Sequence, residues 1–426
     1  MTNVQHEAPA FPMARSPGCP LDPPAEYGRM RAEAPVAPVA PVAPVAPVAP
    51  VAPVAPVAPA ILPDGSRTWL ISRYADVRAV LRDPRVSADL RKPGFPIISA
   101  AERTLVDVGF HPGFIRTDPP EHGQLRRMVS ADFTIRRVKA LRPAIQRLVD
   151  ERVDRIIDGP KPVDLVAELA LPVPSTVICW LLGVPVADIG KFNEWTRAVV
   201  DADTTPEQTQ EANAAILGYF DELIAIKQRE PADDIVSRLV RQHEAGKLTR
   251  PEVLTTSMLL LVAGHETTAN MISLGVLTLL QHPEQAAALR ENAGLASRAV
   301  EELLRYLSIS EFTTTRVATE DLGVGGRLIR AGDGIVALTP SANRDATAFP
   351  DPDTVDIHRK SRQHVAFGFG PNQCVGQSLA RAELQIVFPT LLRRIPGLRL
   401  AVPAEELRYK LNEGIFGVLS LPVTWD

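Results

Sequence analysis

The segment His364-Val-Ala-Phe-Gly-Phe-Gly-Pro-Asn-Gln-Cys-Val-Gly-Gln-Ser-Leu-Ala-Arg381 limits the possible folds of this chain more than any other. Glycines at 368, 370 and 376 permit positive φ and let backbone approach something flat. Cys374 sits among them, and a helical pattern starts directly afterwards. The loop predicts a bed of backbone N–H groups around Cys374 and a helix N-terminus beyond it, both of which favour a thiolate. A phosphate-binding loop fits poorly: Gln373 stands where a third glycine should fall, and no Gly-Lys-Ser/Thr follows. The plain alternative is a cysteine serving as a small core hydrophobe.

A thiolate held in this way suits a soft metal or a haem iron. The string resembles the haem-binding loop of cytochrome P450, Phe-Gly-x-Gly-x-His/Arg-x-Cys-x-Gly. Phe367, Gly368, Gly370, Cys374 and Gly376 match, while Asn372 stands where the family has His or Arg. The resemblance spans roughly residues 60 to 426. It implies a mainly α fold with small β-sheets, a helix-rich prism enclosing haem b. Cys374 would be the metal ligand, with Phe367, Gly368 and Gly376 in the cofactor-binding loop.

The chain has 426 residues, enough for one large core or two ordinary domains. A net charge of −4 gives no sign of a nucleic-acid partner. The three cysteines, Cys19, Cys179 and Cys374, are too few and scattered for a disulfide framework and fit a reducing cytoplasm. No uninterrupted apolar run reaches the ~18 residues of a membrane span. Met1-Thr-Asn-Val-Gln-His-Glu has neither the basic start nor the apolar stretch of a signal peptide. The resemblance is to soluble bacterial members, which implies a cytoplasmic monomer.

Residues 1–33 read as a polar leader ending in a short helix. From Ala34 to Pro59 the chain repeats Ala-Pro-Val. Proline every third residue excludes a helix or a central strand and matches polyproline II, about 3.1 Å per residue. The repeat is expected to be extended or disordered, either a tolerated excursion or a stiff docking arm. Residues 60–426 are expected to form the catalytic domain. It opens with a strand from Arg67 to Ser72 and a helix over Tyr74–Arg82 that ends at Asp83-Pro84. Residues 86–112 read as a loop that covers substrate in the family, and 190–230 as the pocket roof.

In Asp118-Pro-Pro-Glu-His122-Gly-Gln-Leu-Arg126, His122 and Arg126 share a helix face. Read alone, such a pair is usually a solvated surface. The resemblance assigns His122, Arg126 and Arg316 to the haem propionates, with Asn372 a weaker fourth contact that donates a hydrogen bond without a charge. The apolar run Val253–Leu280 is interrupted by Ala263-Gly-His-Glu-Thr-Thr268, which invites a kink. A His-Glu-x-x-His zinc site is excluded by Ala269. The resemblance makes this the oxygen-activating groove, with Glu266 as acid, Thr267 as alcohol and no role for His265. Glu302, Arg305 and Arg359 are expected to form a buried ion network supporting the Cys374 loop.

These assignments imply a monooxygenase taking electrons from a ferredoxin and its NAD(P)H-dependent reductase. Docking is expected near Arg126, Arg127, Arg136, Arg137 and Arg381. The substrate is expected to be a hydrophobic natural product or xenobiotic, with Leu260, Ala263, Ile309, Phe312, Ile415 and Phe416 as candidate walls. Two other readings stand beside this one: a peroxide-driven or redox-neutral haem-thiolate enzyme, and a non-enzymatic helical binding protein with a proline-rich docking arm.

Overall fold

The computed structural model describes residues 9–16, 20–32, 57–98, 103, 113–200, 204–311, 313–411 and 414–426. Cys19, Phe312, the Ala-Pro-Val repeat up to residue 56 and most of segment 99–112 lie outside them. The helices run α1 Ala25–Ala32, α2 Tyr74–Arg82, α3 Glu121–Ser130, α4 Ile135–Asp158, α5 Pro172–Leu182, α6 Ile189–Val200, α7 Pro206–Arg229, α8 Ile235–Glu244, α9 Arg250–Gln281, α10 Pro283–Glu291, α11 Ala296–Leu307 and α12 Gln377–Arg394. The strands are short: β1 Val57–Ile61, β2 Arg67–Ile71, β3 Val86–Ser87, β4 Val163–Asp164, β5 Thr315–Ala318, β6 Leu322–Val324, β7 Arg327–Ile329, β8 Gly334–Ala337, β9 Arg399–Leu400 and β10 Pro422–Thr424. This is the helix-dominated architecture with small sheets that the sequence predicts.

Helix α9 is the axis of the molecule, packing against α5, α7, α8, α11 and α12. Its start is fixed by a capping box in which Thr249 and Glu252 satisfy each other's backbone N–H, with Pro251 in the first turn. Glycines set the spacing of its neighbours. A Cβ on Gly264 would lie 2.7 Å from Ile178 of α5, and one on Gly275 would lie 2.4 Å from Phe388 of α12. Either change would push a packed helix away. Despite its polar centre, α9 stays helical throughout. The Thr267 hydroxyl donates to the Ala263 carbonyl one turn back, at 2.9 Å. Among the described residues, no helix is long and apolar enough to cross a membrane.

The main sheet has the order β1-β2-β8-β5-β3. Strand β1 includes Val57, Ala58 and Pro59, so the repeat's last three residues are extended, as an edge strand. Pro59 sits opposite Trp69, and an edge is where a residue lacking an N–H is tolerated. Strand β5 lies between β8 and β3 and carries Arg316 into the interior. One leader residue reaches across to the far end of the chain. Arg15 donates to Glu311 at 2.7 Å and lies 3.8 Å above the ring of Phe416.

Candidate active site

The Cys374 loop closes on itself before α12 begins. Cys374 N–H donates to the Phe367 carbonyl at 2.9 Å, and Gly368 N–H to Val365 at 2.9 Å. Gly368 and Gly370 have φ of 70° and 76°. A Cβ on Gly370 would lie 2.5 Å from the Leu81 carbonyl, so this glycine lets the loop rest on α2. The N–H groups of Gly376 and Gln377 and the guanidinium groups of Arg126 and Arg381 act to lower the Cys374 pKa, as the sequence predicts. Burial is nevertheless the largest influence and leaves the thiol above its ordinary value, so the loop alone does not create the thiolate. A bound cation would tip that balance. Cys374 is exposed although protein surrounds its thiol, so it borders a hollow inside the fold.

Two ion clusters brace the loop. In the first, Arg305 donates two parallel hydrogen bonds to Glu302 at 2.8 Å, with both side chains fully buried. Arg359 reaches the same carboxylate at 3.1 Å. Ser361 and the Asp356 N–H complete it. This is the expected network. The second went unseen in the sequence and is built on Glu301. Arg381 donates to Glu301 at 2.6 and 3.1 Å, and His364 Nε2 lies 3.0 Å from it. The His364 Nδ1 accepts from the Ala366 N–H at 3.1 Å, so the single ring proton sits on Nε2 and is donated to Glu301. Burial acts to raise the Glu301 pKa, but His364 and Arg381 outweigh it and hold the carboxyl at about 2. Arg381 also lies 4.6 Å above the Phe367 ring. It therefore braces the loop, its charge already paired with Glu301.

Of the other arginines expected at a docking face, Arg137 is paired with Asp233 at 3.0 Å. Arg126 is half-buried and donates to the Gln373 carbonyl at 2.5 Å, joining α3 to the cysteine loop. Arg127 and Arg136 are exposed.

His122, Arg126 and Arg316 converge. Burial lowers the His122 pKa first, and the nearby Arg126 and Arg316 lower it further. The fully enclosed Arg316 is pushed down to about 9, by burial and then by Arg116. Its hydrogen bond goes to the Thr315 carbonyl at 2.7 Å rather than to a carboxylate. The buried His122 Nε2 and Asn372 Nδ2 have no hydrogen-bond partner. A cluster of cations and unmet donors is costly unless an anion completes it. Among the described residues no three His, Cys, Asp or Glu side chains are grouped to hold a metal. A metal on Cys374 would therefore bring most of its ligands with it, and a flat macrocycle with anionic arms meets both demands.

On α9, Leu259 and Thr267 are half-buried and Ala263 is exposed, although the helix is otherwise mostly buried. Positions four apart share a face, so this stripe borders a hollow. Leu259, not the expected Leu260, belongs to it, because Leu260 packs into the core. Ile415 is half-buried, while Phe416, the next residue, is sealed in the core. Ile309 is also buried. Glu266 is 8% exposed and is held by Lys410, with Asn270 Nδ2 at 3.2 Å. Burial acts to raise its pKa, but Lys410, His265 and Asn270 together hold it below the usual carboxylate value.

The family model "Cytochrome P450" matches residues 202–397. Cytochrome P450-SU2 of Streptomyces griseolus is 47% identical over 429 residues, covering all of both chains. The crystal structure of GfsF, a cytochrome P450 of Streptomyces halstedii, superposes with a TM-score of 0.89 at 46% identity, covering 98% of this chain and 100% of that one. The mycinamicin VIII C21 methyl hydroxylase MycCI of Micromonospora griseorubida superposes with a TM-score of 0.87 at 40% identity, covering 98% and 100%. These relationships set aside the reading of a non-enzymatic binding protein. With the cysteine loop, its braces and the cationic cluster in place, the chain belongs to the cytochrome P450 family of haem-thiolate monooxygenases.

Proposed function

We propose that this protein binds haem b through Cys374 and oxidises a hydrophobic natural product with electrons from a ferredoxin. The observation that carries the reading is the convergence of His122, Arg126 and Arg316, with the orphaned donors of His122 and Asn372, beside the Cys374 loop. Haem ligated by a thiolate supplies the oxygen chemistry, the sulfur's electron density favouring O–O cleavage.

The chain's own residues do the rest. Arg316, Arg126 and His122 hold the propionates, and Asn372 adds an uncharged donor. Phe367 and the glycines at 368 and 376 shape the loop around the sulfur. Leu259, Ala263 and Ile415 supply apolar wall and exclude water. The Thr267 Oγ1 keeps its proton on the Ala263 carbonyl and can turn it toward the hollow. Glu266 is the proton carrier, and its carboxylate must leave Lys410 to act. Arg127 and Arg136 are the exposed cations available to an acidic ferredoxin. MycCI acts on mycinamicin VIII, which supports a large apolar natural product as the substrate class.

The test is Thr267→Ala in haem-loaded protein supplied with NADPH, reductase and ferredoxin. The reading predicts an intact thiolate-type CO spectrum, a loss of product per NADPH and a matching gain in peroxide. Unchanged product yield would remove the role of Thr267. Turnover by wild type with peroxide alone, and none with the electron-transfer chain, would favour the peroxide-driven reading.

A further inference from the structure

His265 sits beside Glu266 at the centre of α9, and its neighbours assign its protons. Its Nδ1 is 3.0 Å from the Leu261 carbonyl, which can only accept, so Nδ1 carries a hydrogen. Its Nε2 is 3.0 Å from Thr196 Oγ1 on α6. A threonine hydroxyl has one hydrogen, and that of Thr196 is directed at the Phe192 carbonyl, 2.5 Å away. The hydroxyl is then an acceptor toward the ring, and Nε2 must also carry a hydrogen. The contrast with His364, where one ring nitrogen accepts from a backbone N–H, is direct.

We propose that His265 takes up a second proton when α6 seats on α9, making it a positioning residue that links α6 to Glu266. With the ring charged, all three hydrogen bonds around Thr196 and His265 are made. With the ring neutral, either the Thr196–Phe192 or the Thr196–His265 bond is lost.

The charged groups acting on the ring are Glu266, whose Oε2 is 4.0 Å from Nε2, and Lys410 from the C-terminal hairpin, in which residues 408–410 pair antiparallel with 417–419. From α6 the facing group is the Thr196 hydroxyl. Burial pulls the ring's pKa below its ordinary value and Lys410 acts the same way; Glu266 and the Leu261 carbonyl oppose them. The second proton is therefore held only while the Thr196 geometry holds, and the contact between α6 and α9 tightens as pH falls. The charged ring also gives Glu266 a second cation beside Lys410. The functional importance of the link rests on reading Glu266 as the proton carrier, whereas the link itself does not.

The experiment is nitrogen-15 NMR of histidine-labelled, haem-loaded protein in the diamagnetic ferrous–CO state, titrated from acid to alkaline pH. Both His265 nitrogens should show protonated shifts at low pH, with Nε2 giving up its hydrogen as pH rises. Thr196→Val removes the acceptor and should move that midpoint down by about one pH unit or more. Glu266→Gln should also lower it, by removing the facing charge. A ring unprotonated at Nε2 throughout, and unmoved by Thr196→Val, would overturn the proposal. A Glu266→Gln enzyme with full product yield would remove the proton-carrier role and leave the NMR result standing.

Discussion

Lys410 and Glu266 are 144 positions apart in the chain and in direct hydrogen-bond contact, which pins the C-terminal hairpin to the middle of α9. The hairpin is seated closely. A Cβ on Gly417 would lie 2.2 Å from Asn270 Oδ1, and the Lys410 N–H donates to the Gly417 carbonyl at 2.9 Å. The half-buried Ile415 lies on the same hairpin, so it and the Glu266 carboxylate share one support.

Replacing Lys410 by Met leaves a buried carboxylate with Asn270 and His265 alone. Because the Glu266 pKa is depressed on folding, its stabilising contribution is present above the unfolded value and is lost as pH falls through the folded one. We expect Lys410→Met to cost about 1–3 kcal/mol at pH 7 by urea unfolding. That gap should shrink through the carboxylate range. Equal losses at pH 7 and pH 4 would contradict the pairing.

Glu301 is a strong acid within its brace. With its carboxyl held at about 2, its contribution is full above the ordinary glutamate range and disappears as pH falls toward 2. Glu301→Gln should therefore remove up to roughly 3 kcal/mol at pH 7 and little near pH 2. Stability curves of the two proteins against pH provide the check.

Arg381 and Arg127 should separate cleanly. Arg381→Gln breaks two bonds to Glu301 and the contact over Phe367, so haem loss should quicken. Arg127→Gln should leave haem retention unchanged and weaken ferredoxin binding modestly, with the effect vanishing at high salt. Identical behaviour of the two variants in a haem-transfer assay would contradict this division.

Arg316 predicts opposite effects in the two forms of the protein. Without haem, its enclosed guanidinium lacks a carboxylate partner, so Arg316→Met should be neutral or stabilising. With haem bound, the same change should cost about 1.5–3 kcal/mol, the range for a hydrogen bond to a charged group. Thermal melts of both forms decide it.

The cysteine loop, the cluster of His122, Arg126 and Arg316, and the Glu302 network were legible because each rests on fixed spacing within one segment or on a family pattern. The contacts that were not legible all join distant segments. Glu301 adjoins Glu302 in sequence, but only the fold shows that it faces His364 and Arg381. Lys410 lies in a stretch with no motif. The family resemblance placed Leu260 near the pocket, yet the stripe through Ala263 and Thr267 falls on Leu259. The thiolate expected from loop dipoles is opposed by burial of the thiol, which no spacing reveals.

The most direct test of the account is the CO difference spectrum of the reduced, haem-loaded protein beside that of Cys374→Ala. Ligation by Cys374 predicts a thiolate-type Soret band in the wild type and its absence in the variant. A wild-type protein that binds no haem, or a variant that keeps the thiolate-type band, would contradict it.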